Sequence, residues 1–121
     1  MKSTWAEGVQ VSPVLRKVER GFDHWCPACG ELHTIFVPGW SFDGNLVRPT
    51  FNPSVKITGK QTVNVAGEWT GEWVRDAQGN PVDDCCHYFL HAGQLRFQGD
   101  CKHAFAGRTV PLPELPPNFR D

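Results

Sequence analysis

Hydrophobic and polar residues alternate along most of this chain, and no window of eleven or more residues keeps the period of an amphipathic helix. Twelve glycines and ten prolines divide the sequence into short segments, a pattern typical of strands joined by turns. From residue 19 onward the alternation sets Phe22, His24 and Cys26 on one face, and residues 32–37 return as a second strand. The pattern predicts an all-β fold of mainly antiparallel hairpins with little or no helix.

The clearest hairpin lies between residues 86 and 101, with Ala92-Gly93 at its turn. A loop with an even number of residues pairs Leu90 with Leu95. The face that results is apolar and carries Cys86, Tyr88, Leu90, Leu95 and Phe97. Cys101 follows at the same parity, so we expect it on the buried side with Cys86. A three-residue loop would instead place a leucine opposite an arginine, and the even loop is therefore favoured.

The cysteines predict a metal site assembled from distant segments. Cys26-Pro27-Ala28-Cys29, followed by Gly30, has the spacing of half a tetrahedral zinc site. No further cysteine occurs before residue 85, and the candidates for the other half are Cys85, Cys86, His87, Cys101 and His103. The hairpin register selects two of them. The predicted zinc ligands are Cys26, Cys29, Cys86 and Cys101, with His103 as a substitute for one of them.

Cys85, His24, His33 and His87 lie outside the predicted ligand set. Cys85 is interpreted as a small buried side chain without a metal role, as free cysteines commonly are. His24 and His33 flank the metal-binding turn, and either could be a ligand, although a position beside the ligands or at the surface is favoured. His87 is either a hydrogen-bonded strand residue or a site residue, because Asp100 lies near it across the hairpin.

Composition limits the classes of function. The chain has 12 basic and 13 acidic residues mixed along its length, so nucleic-acid binding is possible but not favoured. No stretch approaches the ~18 apolar residues of a membrane span, and residues 1–7 lack the apolar run of a signal peptide. The sequence predicts a cytoplasmic protein without membrane contact. In that reducing compartment five cysteines favour thiolate ligands over disulfides.

Length and turn signals predict the domain organisation. At 121 residues the chain is expected to form one zinc-binding β domain, 1–121, with a core at 19–107. Residues 108–121 are rich in proline and are expected to run extended over the surface. Asp43-Gly44 predicts a further hairpin with a two-residue turn.

Four segments resemble a family of small uncharacterised proteins of phages and prophages. They are Cys26-Pro27-Ala28-Cys29-Gly30, Arg48-Pro49-Thr50-Phe51-Asn52-Pro53-Ser54, Cys86-His87-Tyr88-Phe89, and Gly99-Asp100-Cys101-Lys102-His103-Ala104-Phe105-Ala106-Gly107. Their order matches the family's CPxCG, RPTFxPS, CHxF and GDCxHxxAG motifs. The resemblance implies membership and no particular chemistry, and a phage-encoded protein would work in the host cytoplasm.

The resemblance draws attention to the segment 48–54, whose two prolines fix the backbone. Its polar residues, Arg48, Thr50, Asn52 and Ser54, would project from a rigid segment. One interpretation is that they satisfy backbone groups of the loop. The other is a polar pocket with the catalytic candidates His87, Asp100 and His103, which would suit general acid–base chemistry.

Familiar catalytic motifs are absent, including G-x-S-x-G, H-E-x-x-H, the P-loop and the H-x-E of zinc deaminases. Four sulfur ligands would close the metal site and make it structural. The sequence therefore predicts a small zinc-stabilised β module that binds a phage or host protein. The alternatives are a metal-dependent hydrolase with a polar pocket beside the zinc and, third, a nucleic-acid-binding module. The sequence does not decide whether the chain is an enzyme.

Overall fold

The computed structural model describes residues 8–121 and is built from antiparallel strands, as the alternating pattern predicts. The strands are β1 (Val9–Gln10), β2 (Arg16–Val18), β3 (Gly21–Cys26), β4 (Glu31–Phe36), β5 (Ser41–Phe42), β6 (Phe51–Lys60), β7 (Thr62–Val65), β8 (Glu68–Trp73), β9 (Asp83–His91), β10 (Gln94–Phe97) and β11 (Thr109–Pro111). A 3-10 helix covers Pro117–Phe119. The all-β prediction is confirmed. The expected lack of a signal peptide concerns residues 1–7, which lie outside the described part of the chain.

Two sheets pack face to face around one core. The first has the strand order β1-β2-β3-β4, the second the order β11-β10-β9-β6-β5, and β7 and β8 pair separately. Aromatic rings join the sheets, since the Phe22 and Phe51 centroids are 5.9 Å apart. Within residues 8–121 no helix is long and apolar enough to cross a membrane. The core between the sheets receives the inner faces of β3 and β9.

The β9–β10 hairpin has the predicted register. Leu90 pairs with Leu95 and Tyr88 with Phe97, and these side chains are buried. Ala92 and Gly93 form the two-residue turn with φ of 47° and 75°, the left-handed conformations that a type I′ turn requires. The inner and outer faces of β9 are therefore those that the sequence predicts.

Strand β6 contains an irregularity that positions the site. Phe51 pairs with Leu90 and Val55 with Tyr88, so four residue steps along β6 lie opposite two along β9. The extra residues form a bulge that includes Ser54 and the cis peptide Asn52–Pro53. Regular pairing resumes beyond it.

The predicted two-residue turn at Asp43-Gly44 is wrong. The chain instead forms a loop over residues 43–50 between β5 and β6. The Asp43 carboxylate accepts the backbone N–H of Asn45 at 3.0 Å and that of Thr50 at 3.2 Å. These hydrogen bonds stabilise a wider loop, because the aspartate satisfies backbone donors that a tight turn would pair across the strands.

Both ends of the described chain contribute to the interior. Arg16 is 1 % exposed and donates to the Phe119 carbonyl at 3.0 Å and to Asp121 Oδ1 at 2.8 Å. Leu115 and Phe119 are buried and pack against Trp25 and Leu32 of the first sheet. The tail pairs only at the sheet edge, through β11. Buried residues thus extend beyond the predicted core, 19–107, at both ends.

Candidate active site and metal centre

Strand β9 carries functional side chains on both of its faces. Cys86 points inward and is 1 % exposed, whereas the side chain of the next residue, His87, points outward and is 23 % exposed. Successive side chains of a strand point to opposite faces. One strand therefore contributes to a buried cysteine cluster and to a surface site.

The buried cluster joins the β3–β4 turn to β9. Its members are Cys26, Cys29, His33 and Cys86, whose ligand atoms all lie within 4.8 Å of one another. The turn is closed by a hydrogen bond from the Gly30 N–H to the Cys26 carbonyl at 2.9 Å, with Gly30 at φ 66°. This arrangement brings three sulfurs and one imidazole together and could hold a metal ion.

The spacing of the donor atoms suits a tetrahedral metal. Zinc–sulfur bonds of about 2.3 Å at tetrahedral angles place two sulfurs roughly 3.8 Å apart, and Cys26 Sγ lies 4.0 Å from Cys86 Sγ. His33 Nδ1 lies 3.3 Å from the Tyr88 hydroxyl. His33 Nε2 is buried and has no hydrogen-bond partner among the described residues. That nitrogen is therefore free to coordinate.

A chain of hydrogen bonds fixes the tautomers of the two buried histidines. His24 Nδ1 donates to the Trp25 carbonyl at 3.2 Å, so His24 Nε2 accepts from the Tyr88 hydroxyl at 2.6 Å. The Tyr88 oxygen then accepts from His33 Nδ1. With this assignment His33 Nε2 carries no proton and takes no part in the hydrogen-bond series. Its lone pair is therefore available to a metal ion.

The electrostatics of the cluster favour the protonation states of metal ligands. Hydrogen bonds from Cys29 and then Cys86 lower the pKa of Cys26, and the same contacts raise the pKa values of Cys29 and Cys86. Burial lowers the pKa of His33 and lowers that of His24 to about 4. One thiolate and neutral imidazoles are therefore preferred at neutral pH, and a cation would favour the remaining thiolates.

The structure differs from the predicted ligand set at the fourth position. Cys101 lies outside the cluster and its thiol donates to the His87 carbonyl at 3.2 Å. Strand β10 ends at Phe97 and the chain then turns, with the Cys101 N–H donating to the Gln98 carbonyl, so strand parity does not extend to Cys101. His33 is the fourth member of the cluster, the position predicted from the sequence for Cys101.

The two other candidates on this part of the chain are also outside the cluster. His103 Nδ1 accepts the Phe105 N–H at 3.2 Å, and the ring packs at 4.9 Å against Phe97. Cys85 is buried and is not among the clustered side chains. Whether the clustered residues bind metal stays a prediction.

Replacing Tyr88 by phenylalanine is expected to destabilise the fold by about 1–3 kcal/mol, because His24 Nε2 would lose its partner while buried. Urea unfolding measures the change. Phe89→Leu, on the outer face of the same strand, is the matched control and should cost less. Equal stability of the Tyr88→Phe protein and the native protein would contradict the proposed role of this hydroxyl.

On the outer face, three side chains form a continuous hydrogen-bonded series. Ser54 Oγ lies 3.1 Å from His87 Nε2. His87 Nδ1 lies 3.0 Å and 3.1 Å from the two oxygens of Asp100. A carboxylate can only accept, so Nδ1 carries the proton and Nε2 accepts from the serine hydroxyl.

The carboxylate of this series also contacts a lysine. Lys56, which pairs with His87 in the β6–β9 ladder, places its Nζ 3.2 Å from Asp100 Oδ2. Desolvation opposes ionisation of Asp100, but hydrogen bonds from His87 and Lys56 and the electrostatic interactions with these two side chains outweigh it and lower the pKa of Asp100. Asp100 is therefore ionised at neutral pH and accepts the His87 proton.

Hydrogen bonds to their backbone groups hold Ser54 and His87 in position. The Trp40 indole donates to the Ser54 carbonyl at 3.2 Å. The His87 N–H donates to Cys101 Sγ at 3.2 Å, and the Gln98 N–H donates to the His87 carbonyl at 2.8 Å. Cys101 thus contacts the backbone of the outward-facing histidine, which is a different position from the metal site predicted for it.

The predicted polar pocket is divided by the structure. Ser54, His87 and Asp100 come together, whereas Thr50 Oγ1 accepts the Ala92 N–H at 2.8 Å and the Arg48 N–H donates to the Asn45 side chain at 2.9 Å. Thr50 thus satisfies a turn donor, as the structural interpretation predicts. The exposed Asn52 borders a separate cavity, and His103 lies elsewhere.

Serine, histidine and aspartate in this hydrogen-bonding order have the geometry of the triad of serine hydrolases. In this small β-sandwich the triad lies on the outer face of β9 and the cysteine–histidine cluster lies on its inner face. The triad is typical of the class of serine hydrolases. The chain belongs to the family described as BubE, bacterial ubiquitination-like system serine protease, which it matches over residues 4–98. The match includes Ser54 and His87 and ends shortly before Asp100.

Other comparisons add no further relative. Neither the curated proteins nor the solved structures gave a match. The family description refers to a bacterial ubiquitination-like system, so the phage or prophage origin expected from the motifs stays a prediction.

Proposed function

We propose that this protein is a serine peptidase in which Ser54 is the nucleophile, His87 the general base and Asp100 the residue that orients His87. The observation that carries the proposal is the series of contacts from Ser54 Oγ to His87 Nε2 at 3.1 Å and from His87 Nδ1 to Asp100 at 3.0 Å. The family description, a serine protease, supports the same chemistry.

The geometry suits a two-step acyl transfer. His87 Nε2 takes the hydroxyl proton as Ser54 Oγ bonds to the substrate carbonyl carbon, and Asp100 stabilises the imidazolium that forms. His87 then gives that proton to the leaving nitrogen as the carbon–nitrogen bond breaks. His87 Nε2 then takes a proton from water as the water oxygen bonds to the acyl carbon. The bond from that carbon to Ser54 Oγ breaks and His87 returns the proton to Oγ, which releases the acid and restores Ser54.

The openness of the site favours a large substrate. The side chains of His87 and Asp100 are 23 % and 45 % exposed, on the outer face of a sheet. The predicted partner protein is thus retained in this proposal as the substrate. Because the family belongs to a bacterial ubiquitination-like system, we place the cleaved bond in a protein of such a system. Clustered free thiols also suit the predicted cytoplasmic location.

The metal in this proposal is zinc, held by Cys26, Cys29, His33 and Cys86. Three sulfurs and one nitrogen complete a tetrahedral sphere and leave no position for a substrate, which argues against the metal-dependent hydrolase. When bound, the ion supplies a cross-link between the β3–β4 turn and β9. His87 is the next residue on β9, so the cross-link helps to position the base.

Labelling with a fluorophosphonate tests the proposal. The reagent phosphonylates serines activated by a neighbouring base, and mass spectrometry should locate the adduct on Ser54. Labelling should disappear in His87→Ala. The control is Ser41→Ala, which removes an exposed serine of the adjacent strand β5 and should leave labelling unchanged. Failure to modify Ser54 in folded protein would refute the assignment.

A further inference from the structure

A cavity of about 220 Å³ lies beside the proposed triad on the same face of the second sheet. Its lining residues are Phe51, Asn52, Phe89, Leu90, His91 and Arg96. Asn52 precedes Ser54 by two residues, and Phe89 follows His87 by two. The rings of His87 and Phe89 are 6.4 Å apart.

The distance between the His87 and Phe89 rings matches the spacing of side chains on one side of an extended peptide. Residues i and i+2 of a strand lie roughly 6.6 Å apart. A substrate whose carbonyl reaches Ser54 can therefore place a nearby side chain, or its chain end, in the cavity. The cavity has the position of a substrate subsite.

The polar groups of the cavity indicate what the subsite accepts. Arg96 pairs with Phe89 across the β9–β10 ladder, and no carboxylate among the described residues forms an ion pair with its guanidinium. The lining contains no acidic residue. Arg96 and the Asn52 amide both supply N–H donors, and an arginine fork matches a carboxylate.

We infer that this cavity binds a carboxylate of the substrate close to the scissile bond, with Arg96 as the specificity-determining residue. The Phe89 ring, 37 % exposed, provides an apolar wall for the carbon chain that carries the carboxylate. The inference rests on the proposed peptidase function. The carboxylate belongs either to an acidic side chain or to a free C-terminus, and both satisfy the same donors.

The test uses two libraries of N-acetylated octapeptides, one with amidated and one with free C-termini. Native protein should preferentially cleave amidated peptides with Asp or Glu near the scissile bond if a side chain is bound, and free-acid peptides if the chain end is bound. In Arg96→Gln the ratio of kcat/KM for carboxylate-bearing over neutral peptides should fall about tenfold. Arg96→Lys should lose less. Arg75→Gln, at an arginine that donates to the Gly79 carbonyl, is the matched control and should keep the ratio.

The absence of a carboxylate preference, or an unchanged ratio in Arg96→Gln, would overturn the subsite while leaving the peptidase intact. Cleavage no greater than that of Ser54→Ala would instead refute the peptidase. A binding measurement then decides on the cavity separately. N-acetylglutamate α-amide should shift the Arg96 Nε–H resonance of Ser54→Ala protein, and N-acetylglutamine amide should not. The absence of that difference would rule out the carboxylate site.

Discussion

Replacing Ser54 by alanine is expected to lower kcat for p-nitrophenyl acetate by about 10³-fold or more. The variant removes only the hydroxyl that contacts His87 Nε2 at 3.1 Å. The residue is partly exposed, so the melting temperature should stay close to that of the native protein. Absorbance of released p-nitrophenolate and circular dichroism give the two measurements.

Companion variants show whether the three residues act as a unit. Asp100→Asn would offer an amide that donates to His87 Nδ1 and so favours the wrong tautomer, and a similar triad lost about 10⁴-fold in kcat on this change. Ser54→Ala combined with His87→Ala should be no less active than either single variant. Full activity in Ser54→Ala would sink the proposed mechanism, and additive losses would show that the residues act independently.

Removing one cluster ligand is expected to have the largest effect on stability. If the cluster holds zinc as proposed, Cys86→Ser should abolish zinc binding and cost more than about 5 kcal/mol, which is comparable to the whole stability of a small domain. Zinc content measured by elemental analysis and thermal unfolding followed by circular dichroism test this. Cys26→Ser, Cys29→Ser and His33→Ala should behave in the same way, since each removes one of the four donors.

Cys101→Ser is the informative control because the sequence predicts this residue as a ligand and the structure places it against the His87 backbone. It should retain zinc and lose activity only modestly. Cys85→Ser should also retain zinc. Loss of the metal from Cys101→Ser, with retention in His33→Ala, would restore the four-sulfur ligand set.

Local rules predicted the parts of the site that lie within regular hairpins. The Ala92-Gly93 turn fixes the register of β9 and β10, so the inward direction of Cys86 followed from parity alone. Cys101 is buried, as parity predicts, but it lies outside the cluster, because β10 ends at Phe97 and the chain then turns. His33 lies on β4, whose inner face meets the same core, and the sequence offered it only as a lesser alternative.

The triad was harder to predict because it depends on pairing between strands distant in sequence. The sequence nominated His87 and Asp100 together, and it placed Ser54 in a polar segment without a role as nucleophile. Ser54 lies in the bulge of β6, two residues from Lys56, the partner of His87 in the ladder. No local pattern indicates this bulge. The available signal was that the three residues fall within three of the segments that resemble family motifs, 48–54, 86–89 and 99–107.

The alternation along β9 also restricts which insertions and deletions this strand can accept, because it places both sites on adjacent residues. Cys86 and His87 are adjacent, and they face opposite sides of one strand. Inserting or deleting a single residue before them would exchange their faces, with the base turned into the core and the thiol turned to solvent. Changes in chain length within this strand must therefore come in pairs of residues, whereas the loop over residues 43–50 is free of that restriction.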